Sequence, residues 1–165
     1  MALHERERFW RRLRPVLLPA AVLLCGAGSV HMRAPRIRVA GVQDLTFGKI
    51  VPGVTTTILL TDAGAGQYTL TNQSARTVQV QLVFVLPTAL ALGGGTTIPI
   101  SFGPASAGFS PSGSLADVVP FDPAVPFTVT IDSKRTARVF LGGTLQPVAG
   151  QPAGSYTVPI TLTTN

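Results

Sequence analysis

Chemistry in this 165-residue chain would have to come from few side chains. Beyond residue 29 the acids are Asp44, Asp62, Asp117, Asp122 and Asp132, there is no Glu, and His31 is the single histidine. General acid–base catalysis needs a titratable pair held in a cleft. Each of these aspartates instead stands beside turn residues, where a carboxylate ordinarily accepts backbone N–H groups. A serine nucleophile needs a base beside it, and His31 lies at the edge of the apolar leader described below. Alone, it also lacks the partners that a metal site requires. Gly93-Gly94-Gly95-Thr96 superficially matches a phosphate-cradling loop. Such loops open a helix whose N-terminus holds the anion, whereas Ile98-Pro99-Ile100 follows here as strand, so a hairpin connection is expected. Arg33, Arg36 and Arg38 form one basic cluster and Lys134, Arg135 and Arg138 another. Nucleic-acid grooves interleave such charge with stacking aromatics; these clusters lack them and read as solvated charge. Asn72-Gln73-Ser74 matches a glycosylation sequon, a pattern frequent by chance. The expectation is a non-enzymatic protein with no cofactor, no metal and no nucleic-acid partner. Carbohydrate binding through aromatic faces is the alternative, with Phe109 and Phe121 as the rings best placed to be exposed.

The formal net charge is +6, and residues 1–29 carry half of it: five arginines against two glutamates. Arg-rich residues 6–14 precede the apolar run Val16-Leu17-Leu18-Pro19-Ala20-Ala21-Val22-Leu23-Leu24, and small residues follow. That order is the signature of a secretory signal peptide. A membrane-spanning helix needs about 20 apolar residues, and Ser29, His31 and Arg33 interrupt this run too early. Cleavage after Ala27 or Ser29 is expected, with Ser29 preferred. Cys25 would suit a lipoprotein, but Leu24 stands where that processing wants a small residue; an uncleaved anchor is the other reading. The organisation expected is a signal peptide over residues 1–29, a short extension over 30–35 and one domain over 36–165. The product would be secreted, to the periplasm, the cell surface or the outside, with no stable membrane span after cleavage. It would carry no Cys, and so no disulfide.

The elements that would position any site are strands. Twelve Pro and fifteen Gly fall beyond residue 29, spaced so that few long windows could stay helical. Thr, Val, Ile, Leu and Phe fill the gaps, and these suit a half-buried pleated surface. Apolar residues alternate through 77–86, 127–132 and 156–163, giving each run one core face and one solvent face. Weaker strand candidates are 37–42, 45–51, 57–61, 68–72, 97–102 and 137–141. Turn residues separate them, Gly142-Gly143 among these. Eight to ten short strands without intervening helices predict an all-β fold, an antiparallel Ig-like β-sandwich. Residues 104–126, with five prolines, read as a long irregular crossing between sheets.

Two segments carry a family likeness. Asp44-Leu45-Thr46-Phe47-Gly48-Lys49-Ile50-Val51-Pro52-Gly53 resembles the opening, and Gly142-Gly143-Thr144-Leu145 through Gln151-Pro152-Ala153-Gly154-Ser155-Tyr156 the ending, of the bacterial exported domain-of-unknown-function family 4402 (DUF4402). That family is similar in turn to spore coat protein U-like and archaic chaperone–usher pilin domains. The likeness covers about residues 36–164. It implies a structural, surface-associated Ig-like subunit, fimbria- or pilin-like, completed by a strand from itself or from another surface subunit. In physical terms Gly48 and Gly53 would allow positive φ, Phe47 would plug the core, and Gly154 would release the chain into a last strand whose buried face begins at Tyr156. The chain lacks the Cys pair of many spore coat U-like domains, and Pro159 in the last strand suggests an edge. Arg33 and Pro35 make residues 30–36 a poor donor strand. A monomeric secreted adhesin or carbohydrate-binding module is the second expectation.

Overall fold

A computed structural model describes residues 37–92, 95–152, 156 and 160–165. Expectations that fall on the leader, on residues 30–36, on Gly93 and Gly94, on Gly154 and on Pro159 lie outside the described residues.

Strands account for nearly all regular structure. They are β1 (Ile37–Gln43), β2 (Thr56–Ile58), β3 (Gly66–Asn72), β4 (Val78–Val85), β5 (Ala89–Leu92), β6 (Thr96–Ser101), β7 (Ala107–Ser110), β8 (Val119–Phe121), β9 (Phe127–Ile131), β10 (Thr136–Leu141), β11 (Gly143–Leu145) and β12 (Thr161–Thr164), with one 3-10 turn at Leu115–Asp117. They form three antiparallel sheets ordered β1-β3-β10-β7-β8, β2-β11-β6-β5 and β12-β4-β9. The expected all-β sandwich is the observed fold.

The period-two pattern explains the main core. In β4, Val80 and Leu82 are buried while Gln79 and Gln81 face solvent. In β9, Val129 and Ile131 are buried while Thr128 and Thr130 face out. These side chains meet Leu70, Ala137, Val139 and Leu141 of the five-stranded sheet, so the first core lies between that sheet and the three-stranded one. A second cluster, Leu90, Ile98, Ile100 and Leu145, lies on the four-stranded sheet, and Phe102 touches both cores. Aromatic rings run through the first core. Phe121 stacks on Phe127 with centroids 4.3 Å apart, and Phe84 links Phe121 at 6.4 Å to Tyr68 at 5.8 Å.

Four expectations need correction. Residues 104–126 are not an irregular crossing: they supply β7 and β8, which pair with each other, and β7 also pairs with β10. Prolines hid them, and β8 tolerates Pro120 because it is an outer strand bonded to β7 alone. Residues 45–51 form no strand. Gly48 and Gly53 adopt φ of 64° and 73°, the left-handed conformations anticipated for them, and these break an extended run. Gly142-Gly143 is not a turn. The chain leaves the five-stranded sheet at Leu141 and enters the four-stranded one at Gly143, with Gly142 as the corner. A Cβ at Gly142 would collide with the Ile58 carbonyl oxygen, so glycine lets the two backbones cross. The last strand begins at Thr161 rather than Tyr156, and it is an outer strand paired with β4.

Candidate functional site

The aspartates, taken one by one, lead to the site. Asp62 Oδ2 accepts the Leu59 N–H at 2.7 Å, and Asp122 Oδ1 accepts the Ala124 N–H at 2.8 Å. Asp132 Oδ1 accepts the Thr77 hydroxyl at 3.2 Å. Asp117 accepts the Ser110 hydroxyl at 2.6 Å and the Ser112 N–H at 3.0 Å, and these bonds hold its carboxyl below the usual carboxylate range. Turn-capping thus describes Asp62, Asp117 and Asp122, while Asp132 makes a long-range bond to a hydroxyl. At Asp44 the backbone carbonyl, not the carboxylate, takes the local bond, accepting the Thr46 hydroxyl at 3.3 Å. The Asp44 side chain lines a cleft.

That cleft has a volume of about 870 Å³ and is bordered by β1 and β12, the outer strands of two different sheets. Val39 and Gly41 of β1, Leu162 of β12, and Leu90 and Ile100 of the four-stranded sheet line it. The opening motif contributes most to it. Leu45, Phe47 and Ile50 are half-buried, pack on the second core and line the cleft, as does Gly48. Phe47 is a lining residue rather than a fully buried plug. Because Gly48 and Gly53 bend the backbone, Leu45, Phe47 and Ile50 can face one cluster without strand geometry.

The ending motif closes on the same place. Tyr156 lines the cleft, its hydroxyl donating to the Pro152 carbonyl at 2.8 Å and accepting from Gln151 Nε2 at 2.8 Å. Gln151 is buried, and its amide also reaches the Thr97 carbonyl at 3.5 Å. The Gly53 N–H donates to the Val148 carbonyl at 3.1 Å, joining the opening segment to the loop after β11. Gly143 and Thr144 lie in β11 opposite Ile58 and Thr57, with the two threonine hydroxyls 3.0 Å apart. Pro52 is exposed beside Gly53. The structure therefore brings Asp44, Leu45, Phe47, Gly48 and Tyr156 together in one cleft, while Pro52, Gly53, Gly142, Gly143, Thr144 and Gln151 shape the scaffold around it.

Composition and spacing did not reveal Val39, Gly41, Tyr68, Ile100 or Leu162 as lining residues; their convergence depends on sheet order. Tyr68 carried the only local signal, as an aromatic in a strand. Its hydroxyl donates to the Ile160 carbonyl at 3.3 Å. Burial pushes its pKa above the ordinary value, and the Asp44 charge adds to the shift.

The other chemical candidates dissolve. Phe109 and Phe121, expected to be exposed, are 7% and 6% exposed and belong to the first core. They offer no face for sugar stacking; Ala137, Val139 and Phe127 claim them. Asn72 of the sequon is 1% exposed, its amide nitrogen donating to the carbonyls of Arg76, Ile131 and Asp132. Among the described residues no three His, Cys, Asp or Glu side chains gather to hold a metal, and no helix is long and apolar enough to cross a membrane.

Comparison with family models and with curated proteins finds no match. The DUF4402 resemblance rests on the two motifs alone.

Proposed function

We propose that this chain is a non-enzymatic, exported, surface-associated structural subunit of fimbria- or pilin-like type, whose sandwich accepts a strand from a neighbouring subunit. One observation carries the reading: a cleft of mixed apolar and polar lining borders β1 and β12, each bonded on one side only among the described strands. An extended segment laid there would add backbone hydrogen bonds to a free strand edge and place alternate side chains on the apolar lining. Engagement of four aspartates in hydrogen bonds to backbone N–H groups or hydroxyls supports the non-enzymatic part. The leader over residues 1–29 supports export, and the likeness of both motifs to DUF4402 supports the subunit role. Burial of Phe109 and Phe121 weighs against the carbohydrate-binding alternative.

The test is the oligomeric state of the exported protein, alone and mixed with co-exported partners, by light scattering and by gel without heating. Strand-complemented oligomers that resist detergent are expected, and Gly41→Phe should abolish them. Gly41 lines the cleft, and a Cβ there meets nothing within 4 Å, so a large side chain can fill the cleft without disturbing β1. A protein that stays monomeric at high concentration and binds glycans would replace this reading with the adhesin one.

A further inference from the structure

Asp44 is the one charged side chain among the described residues lining the cleft, and it stands in a chain of net charge +6. Every other lining group is apolar, backbone or hydroxyl-bearing. The local sign is therefore opposite to that of the whole molecule. Resting on the strand-addition reading above, we propose that the cleft selects an extended segment of a partner subunit with apolar residues at every second position and a lysine or arginine beside Asp44.

Geometry supports each part of that specificity. A strand laid along the free edge of β1 could turn alternate side chains toward the cleft residues Leu90, Ile100 and Phe47. Gly41, two residues along β1 from Val39 and three before Asp44, leaves the wall open where a bulky neighbour would close it. A long basic side chain could lay its methylenes in that opening and carry its cation to the carboxylate. Asp44 already acts on the cleft interior, since its charge contributes to the shift at Tyr68. A glutamate in the same place would meet like charge in a partly desolvated setting, so discrimination would come from repulsion as well as attraction.

Fluorescent peptides of roughly nine residues, about the upper length of an ordinary strand, provide the test. They alternate valine and serine, carry lysine, glutamine or glutamate at one end position, and are titrated into the exported protein while anisotropy is read. The lysine peptide is expected to bind about five- to tenfold more tightly than the glutamate peptide at low salt, the scale of a partly exposed charge pair set against a like-charge contact. The difference should shrink as ionic strength rises, and Asp44→Asn should remove it while leaving binding of the glutamine peptide in place. The salt dependence uses the unaltered protein, so the test stands even where the variant folds poorly. Equal affinity for the three peptides would overturn charge selection and leave strand addition standing. No binding of any peptide, or binding indifferent to Gly41→Phe, would overturn both.

Discussion

Asn72 shows how much one polar side chain can organise. Its amide nitrogen reaches three carbonyls at 2.8 to 3.0 Å, and its Oδ1 accepts the Ser74 N–H at 2.9 Å and hydroxyl at 2.7 Å. It pins the end of β3 to the loop before β4 and to the end of β9. Asn72→Ala would strand those carbonyls in the interior and should cost about 2–4 kcal/mol, read as a lower urea midpoint with unchanged slope. The buried amide also predicts that the folded domain carries no glycan at this sequon, checked by intact mass. Tyr68 supplies a pH signature. Its folded pKa is raised, so the folded state holds the phenol proton more tightly than the unfolded chain does. Stability should therefore fall as pH rises through the ordinary tyrosine value of 10.0 and level off above the folded value. Absorbance titration of the phenolate should show Asp44→Asn lowering this pKa only in part, because burial is the larger cause.

At the scale of elements, two glycines do different work. Gly142 lets β10 pass into β11 across the Ile58 backbone, so Gly142→Ala forces backbone atoms apart and should cost more than about 2 kcal/mol. Gly48 is needed for its φ of 64° rather than for room, because a Cβ there meets nothing within 4 Å. Gly48→Ala should cost about 1–2 kcal/mol from the left-handed conformation; thermal melts of the two variants would rank them. β1 also sets a limit on truncation experiments. Ile37 to Gln43 pair with β3 along their length, so a deletion probing the N-terminal extension must stop before Ile37, or it removes a wall of the cleft with the segment under test.

For the whole molecule, the arrangement of sheets makes the cleft. The five-stranded and three-stranded sheets close on a shared core, while their outer strands β1 and β12 border the cleft together with residues of the four-stranded sheet. If the leader is removed as expected, intact mass of the exported protein will place its first residue between positions 26 and 31. A mass that includes Met1 would contradict export by cleavage.

Fold class was legible in the sequence because a strand writes its burial as a period of two, and β4 and β9 keep that period without interruption. The turn roles of Asp62, Asp117 and Asp122 were legible too, since capping depends on neighbours a few residues away, whereas the bond of Asp132 to Thr77 spans 55 residues. The strands β7 and β8 were not, because Pro111, Pro120 and Gly108 mask the alternation and only pairing with β10 reveals them. The burial of Phe109 and Phe121 is hidden from local sequence for the same reason. The cleft belongs to tertiary structure: Val39, Tyr68, Ile100 and Tyr156 lie far apart along the chain and meet through sheet order. Local propensity carries no information about which strand edges end up facing each other, and long-range pairing decides it.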